Sequence, residues 1–313
     1  MKKRVLIALM LTTGLVLSML LVTAVGANPT YVLLDSVDLG TTGSETGHNL
    51  VGWWPKVIDG TWIGYGWYGY LTSGGAPDYT SMDKAARAVW YCIDGVPEDP
   101  WAEVTLNTQG VTAQTVIIRH LDGITDDSFD LYVNDDFVSH YSDQGSTELW
   151  HNDPYDISGL GLVGDVTVKI KATAPPWLSG ICSFGQVAID WIKLEGPLPV
   201  TIDIKPGSDP NAINLGANGV IPVAIFGSLD LDVTEIDLST VSLEGAQVRV
   251  KGKSDNYGSF DDLDEDGCMD VVIQVYNDMS GVLEGTATAT LTGNLMDGTP
   301  IEGSDEIVVV PPK

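Results

Sequence analysis

The sequence predicts an all-β protein in which two β-sandwich domains follow a secretion signal. Three observations predict this class. Short runs of alternating apolar and polar residues recur between Gly, Asp, Asn and Pro turns, which is typical of β-sandwiches. The first residues have the composition of a signal peptide. A proline-bearing segment separates two halves that differ in their aromatic content.

The N-terminal segment, residues 1–27, is predicted to be the signal peptide. Met1–Arg4 is basic, Val5–Val22 is apolar, and Ala24–Ala27 offers small residues for cleavage. The apolar run is also long enough to be retained as a membrane anchor, and this alternative stays open. We therefore expect a secreted protein, extracellular or at the cell surface, that reaches a membrane only through an uncleaved signal.

The strand-like segments are short, and turn residues separate them. One segment, Met82–Val89, favours a short helix instead. The clearest strand-like runs are Ala102–Leu106, Thr115–Arg119, Phe129–Val133 and Val166–Ile170.

The domain boundary is predicted at Gly196–Pro199, where two prolines stiffen the connection between a closing strand and an opening one. This gives an N-terminal domain over residues 28–197 and a C-terminal domain over residues 198–313. All nine tryptophans lie between Trp53 and Trp191, before the boundary. An aromatic-rich first domain and an aliphatic second one indicate a binding module followed by a structural module.

The charge of the chain excludes some partners. The net charge is −28, and the chain contains 44% apolar and 19% charged residues. A chain this acidic repels nucleic acid and anionic lipid but attracts divalent cations. Its apolar fraction is ample for folded cores. Self-association stays open as a further possibility.

The three cysteines are too few for a disulfide framework. Cys92 and Cys182 can pair in an oxidising compartment, which would leave Cys268 unpaired. The alternative is that all three are isolated apolar side chains.

The most specific motif is D-x-D-x-D-G-x-x-D over residues 262–270. Alternating carboxylates place hard oxygen ligands on one side of a tight loop, and Gly267 permits the sharp turn, so the pattern predicts a Ca²⁺ site. The predicted ligands are Asp262, Asp264, Asp266, the carbonyl of Cys268, and Asp270. The alternative is a solvated acidic turn.

The residues after this loop distinguish it from an EF-hand. A β-branched run, Val271–Val275, follows where an EF-hand has a helix. The loop therefore resembles the calcium loops of integrin-type β-propeller repeats, which lie between strands. That resemblance implies a site that stabilises a β-domain, and it implies no catalysis.

Three segments of the N-terminal half carry a second resemblance: R-H-L-D-G at 119–123, S-F-D-L-Y-V-N-D at 128–135, and Q-V-A-I-D-W-I-K-L-E at 186–195. Together they resemble the galactose-binding-like jelly roll of many carbohydrate-binding modules. Members of that fold often hold a structural calcium between their first and last strands. The resemblance implies Asp190, with Asp35 or Asp38, as a second metal site, although the usual Glu pair of the first strand is absent.

Residues 53–79 are dense in aromatic residues and glycine. Flat rings that are open to solvent can stack against the apolar faces of sugars, so this segment is the predicted glycan site. The alternative is that the rings fill the sandwich core. The candidate ligand-binding residues are Trp53, Trp54, Trp62, Trp67, Tyr68 and Tyr70. Asn134, Asp135 and Asp136 can add hydrogen bonds, although they also suit a plain turn.

The C-terminal half resembles a recurring module of secreted prokaryotic proteins. Its pieces are I-D-I-K-P-G-S at 202–208, G-V-I-P-V-A-I at 219–225, the acidic loop, and D-G-T-P-I-E-G at 297–303. The resemblance implies an immunoglobulin-like sandwich without an assigned activity.

No enzymatic motif is evident. The four histidines have no zinc-site spacing, and no nucleophile elbow is present. Ser44–His48 is the only compact polar group, and we interpret it as a loop hydrogen-bond network. The sequence thus predicts a secreted, calcium-stabilised carbohydrate-binding protein that is not an enzyme. The alternatives are a structural or adhesive surface protein without a glycan ligand and, third, a polysaccharide-active enzyme.

Overall fold

A computed structural model describes residues 29–39, 42–52, 56–59, 85–92, 101–122, 128–142, 149–173, 184–214, 217, 219–252, 256–277, 282 and 284–310. Strands dominate this part of the chain, and the predicted all-β class with sandwich domains is confirmed. Within the described residues, no helix is both long enough and apolar enough to cross a membrane.

The first half of the chain forms two sheets. One has the order β3-β4-β11-β6-β9, with β1 also paired to β11, and the other has the order β2-β5-β10-β7-β8. The strands are β1 (Val32–Asp38), β2 (Val51–Gly52), β3 (Lys56–Asp59), β4 (Ala85–Cys92), β5 (Trp101–Asn107), β6 (Thr115–Asp122), β7 (Ser128–Val133), β8 (Asp136–Ser142), β9 (Leu149–Asp156), β10 (Asp165–Ala172) and β11 (Phe184–Gly196).

Period-two patterning builds the core of this N-terminal sandwich. In β10, Val166, Val168 and Ile170 are buried while the residues between them are more exposed, as expected for a strand with one face on a core. The β7–β8 hairpin turns at Asn134 and Asp135, both with positive φ, which these two residue types tolerate. The turn interpretation of this pair therefore fits the structure.

The second half of the chain forms its own sandwich. Its sheets have the orders β12-β21-β20-β16-β17 and β13-β15-β19-β18, with a small pair β14-β22. The strands are β12 (Leu198–Pro199), β13 (Ile202–Ile204), β14 (Ala212–Asn214), β15 (Val220–Ile225), β16 (Ile236–Leu243), β17 (Ala246–Gln247), β18 (Gly258–Asp261), β19 (Asp270–Tyr276), β20 (Thr288–Leu295), β21 (Pro300–Glu306) and β22 (Val308–Val310).

Each sandwich has a separate hydrophobic core among the described residues. The first core runs from Leu34 to Leu194, and the second runs from Val200 to Ile307. The chain passes from one to the other between β11 and β12, at the segment where the sequence predicts the domain boundary.

One local expectation is wrong, and another holds only in part. The segment predicted as a helix, Met82–Val89, overlaps β4, which is a strand paired on both sides by β3 and β11. Its alanines suit either structure, and pairing within the sheet overrides their helical propensity. The polar group Ser44–His48 lies in a short helix, α1 (Thr42–Gly47), and at its end rather than in a loop. The expected hydrogen-bond network is present, since Ser44 Oγ accepts from the Asp38 amide at 2.8 Å and His48 Nδ1 lies 2.7 Å from the Ser44 carbonyl oxygen.

Candidate functional site: an acidic loop between two strands

The predicted calcium loop lies between β18 and β19, two antiparallel neighbours whose last pair before the loop is Asp261 and Asp270. Gly267 has φ +90°, a conformation that favours glycine, and Glu265 also has a positive φ. The expected strand after the loop and the expected turn at Gly267 are both present.

Three of the predicted ligands converge. One carboxylate oxygen from each of Asp262, Asp264 and Asp270 lies within 4.8 Å of the other two. Two oxygens bound to one Ca²⁺ at about 2.4 Å can be no more than about 4.8 Å apart, so this separation suits a shared ion. Carboxylate oxygens are also the hard ligands that Ca²⁺ prefers.

Asp270 anchors this group to the sandwich. Its side chain is fully buried. Oδ1 accepts a hydrogen bond from the Gly227 amide at 2.8 Å, and Oδ2 accepts one from the Leu263 amide at 2.7 Å. These bonds fix the Asp270 carboxylate and hold the start of the loop, at Leu263, close to its end.

Gly227 is required where it stands. A Cβ at this position would lie 2.2 Å from the Met269 carbonyl oxygen, which is far inside van der Waals contact. The absence of a side chain lets the Gly227 amide approach Asp270 closely.

The other two predicted ligands have different surroundings. Asp266 Oδ1 accepts a hydrogen bond from the Cys268 amide at 2.7 Å, and Asp266 is not part of the three-carboxylate group. Cys268 is a free thiol. Burial and the charges of Asp266 and its neighbours raise the pKa of this thiol, so it remains neutral beside the carboxylates. Ligation by Asp266 and by the Cys268 carbonyl stays a prediction.

The carboxylates of the expected second metal site have other partners. Asp190 forms an ion pair with Arg119 at 3.0 Å, and both side chains are buried. Asp35 Oδ2 accepts from the Asn107 amide at 2.8 Å, and its Oδ1 lies 3.2 Å from His48 Nε2.

Strand register separates Asp35 from Asp190 but not Asp38, because Asp38 pairs with Trp191, the residue after Asp190. Asp35 pairs with Leu194 of β11, which is about 13 Å along the strand from Asp190 at about 3.3 Å per residue. Asp35, Asp38 and Asp190 form no close acidic group in the described chain. The second metal site stays a prediction.

The six aromatic candidates, Trp53, Trp54, Trp62, Trp67, Tyr68 and Tyr70, lie outside the described residues, as does Cys182. Their flanking strands are described. Residues 53–55 connect β2 in one sheet to β3 in the other, and residues 60–84 connect β3 to β4. The ends of β3 and β4 are paired at Asp59 and Ala85, so this long connection starts and finishes at one place on the sandwich.

Sequence reasoning missed a polar cluster around the buried His120 in the N-terminal sandwich. His120 is almost fully buried, its Nε2 lies 2.8 Å from Asp153 Oδ2, and its ring lies edge-on to Tyr141 at 4.3 Å. Burial, followed by the charge of Asp153, raises the pKa of Tyr155. An apolar–polar alternation could not reveal this cluster, because its members come from three different strands, β6, β8 and β9.

No protein-family model matches the sequence, and no curated protein matches it. Among solved structures, the chain is similar to a carbohydrate-binding module, CBM36, in complex with calcium and xylotriose. The identity is 10% and the TM-score 0.29, over 51% of this chain and 98% of that chain.

Two further structures are also similar. A family 35 carbohydrate-binding module from an environmental isolate matches at 19% identity and TM-score 0.25, over 32% of this chain and 67% of that one. The catalytic unit of a GH87 alpha-1,3-glucanase from Streptomyces thermodiastaticus matches at 14% identity and TM-score 0.27, over 62% of this chain and 30% of that one. Likenesses of this extent do not assign a ligand to this chain.

Proposed function

We propose that this protein is a secreted, calcium-stabilised, carbohydrate-binding protein without catalytic activity. The N-terminal sequence, with its basic, apolar and small-residue segments, supports secretion. The convergence of Asp262, Asp264 and Asp270 supports a calcium site in the C-terminal sandwich. Calcium there holds the β18–β19 hairpin closed and stabilises the fold rather than performing chemistry.

The observation that carries the glycan-binding part is the placement of the aromatic segment. Trp62, Trp67, Tyr68 and Tyr70 belong to residues 60–84, which join two paired strand ends, Asp59 and Ala85. Trp53 and Trp54 belong to the short connection from β2 to β3. Long connections of more than about 12–15 residues in compact domains usually either serve a function or act as linkers. A rigid sandwich that presents a segment rich in Trp, Tyr and Gly is a suitable base for stacking on sugar rings.

The ligand is proposed to be a neutral glycan. With a net charge of −28, the protein repels anionic polysaccharides unless calcium bridges the two charges.

Binding to neutral polysaccharides tests this proposal. Intrinsic tryptophan fluorescence should change on titration, and alanine at Trp53, Trp54, Trp62 or Trp67 should remove binding without lowering the melting temperature. Phe137→Ala is the matched control, because Phe137 is 59% exposed on β8 and outside the aromatic segment. If the substitutions each cost about 3–5 kcal/mol of stability, the rings are core residues and glycan binding loses its support. Self-association without glycan binding would favour the structural or adhesive alternative.

A further inference from the structure

The C-terminal sandwich carries a surface groove of about 610 Å³ that the calcium loop does not form. One wall is the start of β16 with the 3₁₀ turn Val233–Glu235 before it, and the other wall is β18 with the residues before it. The lining combines apolar side chains with hydroxyl, amide and carboxylate groups, chiefly Asp237, Ser239, Asn256, Tyr257, Phe260 and Met296.

An irregularity in the pairing of β16 with β20, a bulge of four residues opposite one, shapes the first wall. Asp237 pairs with Asn294 and Ser242 pairs with Thr292, so residues 238–241 of β16 lie where β20 has Gly293 alone. A Cβ on Gly293 would lie 2.8 Å from Val241 Cγ2, so the glycine makes room for the bulge. Bulges commonly redirect side chains next to functional sites.

Side-chain hydrogen bonds hold the bulge in place. Asp237 Oδ1 accepts from the Ser239 amide at 3.1 Å and from the Ser239 hydroxyl at 2.6 Å. The Thr240 hydroxyl donates to the Asp237 carbonyl at 2.7 Å and accepts from the Asn294 amide at 2.9 Å. The Asp237 carboxylate is therefore oriented before any ligand arrives.

The second wall supplies the rings. Phe260 is 47% exposed, whereas Tyr257 is partly buried against the core. Pairing of Phe260 with Val271 of β19 fixes the strand that carries it. Met296 is 68% exposed. Its backbone amide donates to the Glu235 carbonyl at 2.8 Å, which fixes the Met296 backbone beside the first wall.

We infer that this groove binds a neutral oligosaccharide, as a second glycan site independent of the aromatic segment. Its volume lies within the roughly 300–1,000 Å³ of ligand-binding clefts. A fixed carboxylate, hydroxyls and an amide beside the exposed Phe260 ring match a ligand that presents hydroxyl groups at its edge and CH groups on its face. Asp237 adds negative charge to an already acidic surface, which disfavours anionic sugars.

A second site changes what the whole chain can do. Two sites on one polypeptide bind a polymeric glycan with an effective concentration that raises affinity well above that of either site alone. The C-terminal sandwich is then a contributor to binding as well as a structural module.

The test uses the full secreted chain with ¹³C-methyl-labelled methionine, because Met296 places a reporter in the groove. The probes are neutral oligosaccharides of glucose, xylose, mannose and galactose at millimolar concentration. The Met296 methyl signal, assigned with Met296→Leu, should shift and saturate with at least one probe. Phe260→Ala should weaken that affinity about tenfold, and Phe260→Tyr should retain it. Phe137→Ala on the N-terminal sandwich should leave it unchanged.

The outcomes separate the two sites. A Met296 signal that no probe moves overturns the groove site. If every probe that binds loses binding with Trp53→Ala or Trp62→Ala but keeps it with Phe260→Ala, the groove site is also overturned, while the proposed N-terminal site gains support. A Met296 shift that persists in the tryptophan variants supports the groove even if the aromatic segment proves to be core.

Discussion

Glu302 of the C-terminal sandwich accepts two hydrogen bonds from Thr112 of the N-terminal sandwich through one carboxylate oxygen. The Thr112 amide lies 2.8 Å from Glu302 Oε1, and the Thr112 hydroxyl lies 2.9 Å from it. Glu302 is only 7% exposed, and its strand β21 also pairs with β12, the first strand after the connection. The two sandwiches are thus joined by this contact as well as by the chain.

We predict that Glu302→Ala uncouples the unfolding of the two sandwiches. It leaves the Thr112 amide without this acceptor, which costs about 1–3 kcal/mol. Glu302→Gln keeps an acceptor oxygen and should cost less. Tryptophan fluorescence reports only the N-terminal sandwich, because all nine tryptophans precede the boundary, whereas far-UV circular dichroism reports both.

In Glu302→Ala, the transitions seen by the two probes should separate in temperature. Glu306→Ala is the control, since Glu306 is an exposed residue of the same strand. If the fluorescence and circular dichroism transitions were separated by the same temperature difference in both variants, Thr112 and Glu302 would not couple the sandwiches.

Calcium removal should destabilise the C-terminal sandwich. An ion that binds only the native state stabilises it by about 2.7 kcal/mol at a hundredfold excess over Kd. A chelator should therefore lower the melting temperature detected by circular dichroism, and Asp264→Ala should abolish most of the difference between calcium and chelator. An identical melting temperature with and without chelator would refute the calcium site.

Asp270 should matter even without calcium. It is fully buried and accepts from the amides of Gly227 and Leu263, and each unsatisfied buried donor costs about 1–3 kcal/mol. Asp264 is exposed, where most substitutions change stability by less than about 0.5 kcal/mol. In chelator, urea unfolding should show a large loss of stability for Asp270→Ala and almost none for Asp264→Ala. Similar losses for both variants would contradict the anchoring role of Asp270.

The acidic loop was predictable because its chemistry is local. Spacing alone identified Asp262, Asp264 and Asp270, the turn at Gly267 and the strand that follows. The partner that orients Asp270, the Gly227 amide, comes from a distant segment that no local pattern connects to the loop. The same reasoning explains why the groove was missed, since its walls belong to strands of different sheets.

The wrong helix prediction over Met82–Val89 has a different cause. Its Ala-rich composition fits a helix locally, but β4 is paired between β3 and β11. Tertiary pairing decided the structure there. Strands with clear period-two alternation, such as β7 and β10, lie within two residues of their predicted bounds at each end.

Gly227→Ala should destabilise the C-terminal sandwich. The new Cβ would lie 2.2 Å from the Met269 carbonyl oxygen, so the backbone on one side must move, and overpacking of this kind costs about 1–3 kcal/mol. That movement should also weaken calcium binding, measured by calorimetric titration. Gly219→Ala is the matched control, because a Cβ there meets no atom within 4 Å. Equal stability of the two variants would contradict the close approach at Gly227.

Asp203 lies on β13 near Asp305 of β21. Burial, followed by the charge of Asp305, raises the pKa of Asp203 above its ordinary value of 3.8. The folded state therefore binds this proton more tightly than the unfolded state does. Stability is lost as the pH rises through the raised pKa, and the loss persists at neutral pH.

Asp203→Asn removes this penalty, so the variant should melt above the parent at pH 7. Its advantage should shrink towards about pH 3, where Asp203 is protonated in both states. Both proteins are measured in chelator so that calcium does not contribute. Asp230→Asn, at an exposed position, controls for the change in net charge. If Asp203→Asn were no more stable than Asp230→Asn at pH 7, burial of the charged Asp203 carboxylate beside Asp305 would not be a significant cost to this fold.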